Sequence, residues 1–180
     1  AGVRLRRQDV DGALQAYDEI LTFAQNAPYR ALIVQKQGDA LREAGRTDEA
    51  VAKYTAVVTE YVATFAAYTA LDALDQLGVT VVDDYGRAQI LYQGAQYEAS
   101  IEALHRHLPT ISGEQAAPVY YLAGQAFQRL GRYDEAVQSY DAVISQFPED
   151  AVATDAWFAK ASAVAAAGGD AVSVYQAFAA

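Results

Sequence analysis

The stretch from Ala117 to Asp150, APVYYLAGQAFQRLGRYDEAVQSYDAVISQFPED, constrains the chain most. Tyr120, Ala123, Gly124 and Phe127 recur at i, i+3, i+4 and i+7, one face of a 3.6-residue helix. Tyr133, Ala136, Val137, Tyr140, Val143, Ile144 and Phe147 repeat that spacing in a second helix. Leu130-Gly131-Arg132 is the turn between them, since glycine adopts the left-handed conformation of a helix end at little cost. Pro148 blocks continuation of the second helix. Asp134 and Glu135 stand in its first turn, the favourable end of its dipole.

Gly124 and Ala136 occupy mid-face positions where large side chains would be expected, so the two helices can approach closely. A helix pair of this size cannot bury its apolar face alone and implies stacked neighbours. The run Tyr120, Ala123-Gly124, Phe127, Ala136, Tyr140 and Pro148 resembles a tetratricopeptide repeat. It departs from that family in using Tyr for the usual Trp and Ala for the usual Leu. The fold expected from the resemblance is all-α: a right-handed superhelical solenoid of about nine or ten helices.

The rest of the chain divides around this segment into one helical-repeat domain over 1–180. Residues 4–28 read as a partial repeat, with Ala13, Tyr17 and Ile20 in the places of Ala136, Tyr140 and Val143, and Asn26-Ala-Pro28 as the break. Residues 31–64 form a second clear repeat, in which Gly38, Leu41, Gly45, Ala50, Tyr54 and Val57 match Gly124, Phe127, Gly131, Ala136, Tyr140 and Val143. Thr47 and Asp48 are its cap candidates. Val62 replaces the terminal Pro, and the helix is expected to run directly toward the next. Gly45 and Gly131 are 86 residues apart, two 34-residue periods plus 18, so residues 64–78 are expected to be one unpaired helix. Residues 81–114 are a weaker repeat, capped by Asp83 or Asp84 and turned at Gly94-Ala-Gln96. Residues 151–180 are a degenerate one, turned at Gly168-Gly169. The chain opens in mid-helix context and has no Met, which reads as a fragment of a longer protein.

Thirteen basic against 23 acidic residues give a formal charge of −10. A nucleic-acid surface needs basic patches, and a membrane anchor needs a polybasic or strongly amphipathic segment; neither is present. No apolar run is long enough to insert into a bilayer. Without Cys there are no disulfide or thiolate metal sites. No catalytic constellation is visible, and no cofactor is expected. His105 and His107, two residues apart on a helix, point about 200° apart and do not share a metal easily. Asp83-Asp84 and Glu149-Asp150 each precede a helix, which N-capping explains.

The candidate binding surface is the inner face of each repeat's first helix. Its positions are Gln35, Asp39, Arg42 and Glu43, then Tyr85, Gln89, Tyr92 and Gln93, then Tyr121, Gln125, Gln128 and Arg129. A groove of amides and tyrosines could hydrogen-bond an extended peptide or a glycan. The same residues read equally as solvated side chains, with Tyr85 and Tyr92 packing on an adjacent helix. Tetratricopeptide domains that hold a terminal carboxylate use a basic, Asn-rich clamp, which these positions do not reproduce.

A second resemblance spans roughly residues 30–180. DDYGRAQILYQGAQYEASIEAL and SQFPEDAVATDAWFAKASAVAAAGG resemble the helical solenoid that precedes the catalytic domain of soluble lytic transglycosylases. It implies an accessory module that embraces peptidoglycan, with an exported or cell-envelope location. The catalytic Glu of that family belongs to a separate lysozyme-like domain. The tetratricopeptide resemblance implies instead a non-catalytic scaffold for a protein or peptide partner.

Overall fold

The computed structural model describes residues 9–179 and is all-α, with ten α-helices among them. Two compact units divide between Gly94 and Ala95. The first holds α1 (Val10–Phe23), α2 (Ala27–Glu43), α3 (Thr47–Glu60), α4 (Phe65–Gln76) and α5 (Asp84–Gln93). The second holds α6 (Tyr97–His107), α7 (Ala116–Arg129), α8 (Tyr133–Gln146), α9 (Ala153–Ala166) and α10 (Ala171–Phe178). Two short 3-10 turns, Leu108–Thr110 and Gly113–Gln115, connect α6 to α7. Of the expected partial repeat, residues 4–8 lie outside the described residues.

Each unit is built on one interaction made by a glycine and a tyrosine 16 positions apart. The Tyr54 ring of α3 lies on Gly38 of α2, and the Tyr140 ring of α8 lies on Gly124 of α7. A Cβ at Gly38 would stand 2.6 Å from Tyr54 Cε1, and one at Gly124 would stand 2.5 Å from Tyr140 Cε1. Both rings are fully buried. A glycine inside a helix costs about 1 kcal/mol. Burying a large ring returns about 2–3 kcal/mol, so the exchange favours folding. Ala50 and Ala136 are also fully buried and keep the helices of each pair close. Around the first ring the core collects Leu41, Val57, Val58, Leu71, Leu74 and Ile90.

The turns follow from the same residues. Gly45, Gly78, Gly131 and Gly168 end their helices with φ between 71° and 83°. The α5–α6 turn differs: Gly94 has φ −80°, and Ala95 takes the left-handed conformation with φ 57°. Gly94 is needed for another purpose, because the Tyr68 ring lies where its Cβ would be, 2.4 Å away. The left-handed position therefore falls one residue later.

Three local expectations are corrected. α3 does not run on through Val62; it stops at Glu60, and Thr64 caps α4 by accepting from the Ala67 N–H at 3.2 Å. Thr47 and Asp48 do not cap α3. Arg46 takes that place and reaches Glu49, three residues on, at 2.6 Å; Arg132 reaches Glu135 in the same way ahead of α8 at 2.7 Å. In both cases the pair joins two side chains and leaves the first-turn N–H groups without a side-chain acceptor, since arginine only donates. Asp150 forms a turn ahead of α9, accepting from the Val152 N–H at 2.9 Å, and Val152 itself is the cap residue. Asp83, of the two candidates, caps α5, accepting from the Gly86 N–H at 2.8 Å.

Replacing Gly124 with Ala is expected to destabilise the protein by about 1–3 kcal/mol through overpacking against Tyr140. The clash outweighs the roughly 1 kcal/mol gain in helix propensity. A thermal melt by circular dichroism reads the difference; an unchanged or raised Tm would show that the ring is not held against this glycine.

Candidate functional site

In the first unit, α2 and α4 pack side by side, and their N-terminal turns leave an open groove of about 360 Å³. Pro28, Leu32, Gln35 and Lys36 line it from α2. Phe65, Ala66 and Thr69 line it from α4, with the capping Thr64 at its end. Two of these are large apolar side chains in water: Leu32 is 41% and Phe65 64% exposed. The core stripe of α4 is Ala66, Ala67, Ala70, Leu71, Ala73 and Leu74. Phe65 stands outside it, at the helix start, with its ring 5.7 Å from that of Tyr68. Burial in the core therefore does not explain Phe65 or Leu32.

The predicted residues of α2 continue from this groove toward the helix C-terminus. Gln35 is buried, and its amide donates to Asp39 at 2.8 Å. Asp39 also accepts from Lys36 at 3.0 Å and from the Tyr54 hydroxyl at 2.9 Å. Its carboxylate is thus spent on holding the ring that packs on Gly38. Burial first, and then the hydrogen bond to Asp39, push the Tyr54 hydroxyl well above the ordinary tyrosine range. Arg42 is exposed and reaches Gln76 of α4 at 3.3 Å. Asp72, exposed on α4, accepts from the Gln76 amide at 2.7 Å.

α5 carries Tyr85, Gln89 and Tyr92, all half-buried, and packs on α4. Arg87 of α5 pairs with Asp75 of α4 through both guanidinium nitrogens. Burial raises the Tyr85 hydroxyl pKa, with Asp83 contributing in the same direction.

In the second unit, the residues expected from α7 are largely engaged with its neighbours. The Tyr121 ring lies 5.8 Å from that of Tyr140. Gln128 accepts from the Tyr140 hydroxyl at 3.0 Å and donates to Ser162 of α9 at 3.1 Å. Gln125 is half-buried and Arg129 exposed. Gln128 and Ser162 stand 34 residues apart, as do Arg42 and Gln76. The repeat period is therefore visible in the polar bonds as well as in the core.

Sequence reasoning did not single out Leu32 and Phe65, nor the fully buried Gln37. Gln37 donates to Asp18 of α1 at 2.6 Å and accepts from Lys53 of α3 at 2.9 Å, tying three helices together. The signal for Phe65 was its position directly after a Thr cap and off the alanine-leucine stripe. Among the described residues no three His, Asp or Glu side chains converge as metal ligands, and no helix is long and apolar enough to cross a membrane.

Residues 35–62 and 119–150 match the family model described as Tetratricopeptide repeat. They contain the Gly38–Tyr54 and Gly124–Tyr140 contacts respectively. Such repeats serve protein–protein interaction in general. Two crystal structures of MamA are similar to this chain: each aligns with 22% identity and a TM-score of 0.46 over 93% of this chain, covering 80% of one and 85% of the other. No curated protein sequence matches.

The Tyr54 environment predicts an alkaline weakness. The folded pKa lies above the ordinary value near 10, so this stabilisation is complete below about pH 10 and is lost as pH rises toward the folded value. A spectrophotometric titration should show a late tyrosine component that ionises together with unfolding, and Tyr54→Phe should reduce its amplitude. The same substitution is expected to cost about 1 kcal/mol at neutral pH for the hydroxyl–Asp39 bond. A tyrosinate signal that is normal and unaffected by Tyr54→Phe would contradict the assignment.

Proposed function

We propose that this chain is a non-catalytic scaffold that holds an extended segment of a partner protein against α2 and α4. The observation that carries the reading is the groove of about 360 Å³ with Leu32 and Phe65 exposed along its walls. Large apolar side chains clustered on a concave, solvent-filled surface favour occupation by another molecule. The tetratricopeptide match over residues 35–62 supports it, because the match takes in the C-terminal half of α2 and with it Gln35 and Lys36 of the groove wall.

The polar stripe of Gln35, Asp39 and Arg42 has two roles on this reading. Gln35 and Asp39 set the groove wall by holding each other and Tyr54. Arg42 and the Asp72–Gln76 pair are the polar continuation along which a bound backbone runs. In the second unit, Tyr121, Gln125, Gln128 and Arg129 offer a corresponding stripe on α7, as Tyr85, Gln89 and Tyr92 do on α5. Both are proposed as secondary contact surfaces.

A photo-crosslinking amino acid placed at Leu32 or Thr69 tests the groove, with Glu102 of α6 as the exposed control position. Polypeptide adducts from Leu32 and Thr69 but not from the control are the expected outcome. Equal labelling at all three would mean that the groove is not a binding surface. Adducts consisting only of glycan fragments would move the reading to the peptidoglycan-embracing module implied by the second sequence resemblance.

A further inference from the structure

The groove's surroundings specify the chemistry of its occupant, and this inference rests on the groove reading above. We propose that the segment bound there carries a large apolar side chain with a lysine or arginine two positions away. The apolar part follows from the walls: Pro28, Leu32 and Phe65 leave a concave, largely uncharged surface at the N-terminal turns of α2 and α4. Lys36 stands at this mouth, but its ammonium is engaged by Asp39 at 3.0 Å, so it is not set to receive a carboxylate.

The basic part follows from what lies one step along. Phe65, Thr69, Asp72 and Gln76 share one face of α4, at intervals of three and four residues. Asp72 is exposed and accepts only a neutral amide, from Gln76. Glu43 is exposed at the end of the facing helix. Within this stretch the two cations Lys36 and Arg42 stand against the three carboxylates of Asp39, Glu43 and Asp72, an excess of one carboxylate. The chain as a whole carries −10. Both the local and the overall field favour a cationic partner and disfavour an acidic one.

The spacing follows from helix and strand geometry. Seven residues of helix place Asp72 about 10 Å from Phe65 along the axis. In an extended segment, side chains two apart point to the same side and lie about 7 Å from each other. The long stem of lysine or arginine spans the remaining few ångströms with its charge at the tip. Shorter cations would not reach.

Selection from a random heptapeptide display library on the immobilised protein tests the proposal. Enriched sequences should pair Phe, Tyr, Trp, Leu or Ile with Lys or Arg at a separation of two. A fluorescein-labelled heptapeptide of the enriched consensus then gives affinities by fluorescence anisotropy. Phe65→Ala should weaken binding on the order of tenfold, as loss of an interface anchor does. Asp72→Asn should weaken it about threefold and reduce its salt dependence, the size expected of an exposed ion pair. Both substitutions sit on the surface, and unchanged circular dichroism confirms that each variant is folded.

Enrichment of acidic or wholly polar peptides would overturn the proposed class and leave the groove reading standing. So would an enriched peptide that binds through Phe65 but is indifferent to Asp72→Asn. If no peptide is enriched, or if binding is indifferent to Phe65→Ala, the groove reading falls together with the inference.

Discussion

Each unit depends on a tyrosine ring packed against a glycine of the opposite helix. The contact removes a Cβ from one helix and fills the space with the largest side chain of the other. It therefore fixes the distance between the two helices and their relative register at once. Where the ring's hydroxyl emerges, the two units solve the same problem differently: Asp39 accepts it in one and Gln128 in the other. These residues were candidates for binding, and their geometry is set first by the need to satisfy a phenol at the edge of a buried ring.

This dependence explains how much of the fold was legible. Apolar spacing and the placement of Gly45, Gly131 and Pro148 located helices and turns, because each acts through backbone conformation or burial, which sequence records directly. The details that differed depended on particular neighbours. Arg46 stands at the start of α3 with its guanidinium held by Glu49, and Asp11 adds a second partner at 2.6 Å. Ala95 accepts a left-handed conformation because Gly94 is claimed by Tyr68. Neither circumstance can be seen in a window of local sequence.

The candidate site shows the same division. Helical periodicity puts Gln35, Asp39 and Arg42 along one stripe of α2. It could not say that Gln35 would be buried, or that Asp39 would be occupied by three donors. The apolar wall of the groove was harder still to see, since Leu32 and Phe65 look like core residues until the core is known. A large side chain becomes informative when the inward face of its helix is already full, as it is on α4.

The bonds from Arg42 to Gln76 and from Gln128 to Ser162 join residues one period apart, on helices that are not consecutive in the chain. A graft that exchanges one repeat for another therefore has to preserve a donor–acceptor match outside its own borders. Arg42 offers only donors, and Ser162 can accept from it as Gln76 does, whereas Gln128 presents an amide with both functions. An α2 transplanted ahead of α9 would keep Ser162 as the acceptor for Arg42 and would bring Asp39, in the place of Gln125, as the acceptor for the Tyr140 hydroxyl. Modular exchange in this chain is thus constrained by a polar grammar that reads across the repeat boundary, with each module specifying part of the next.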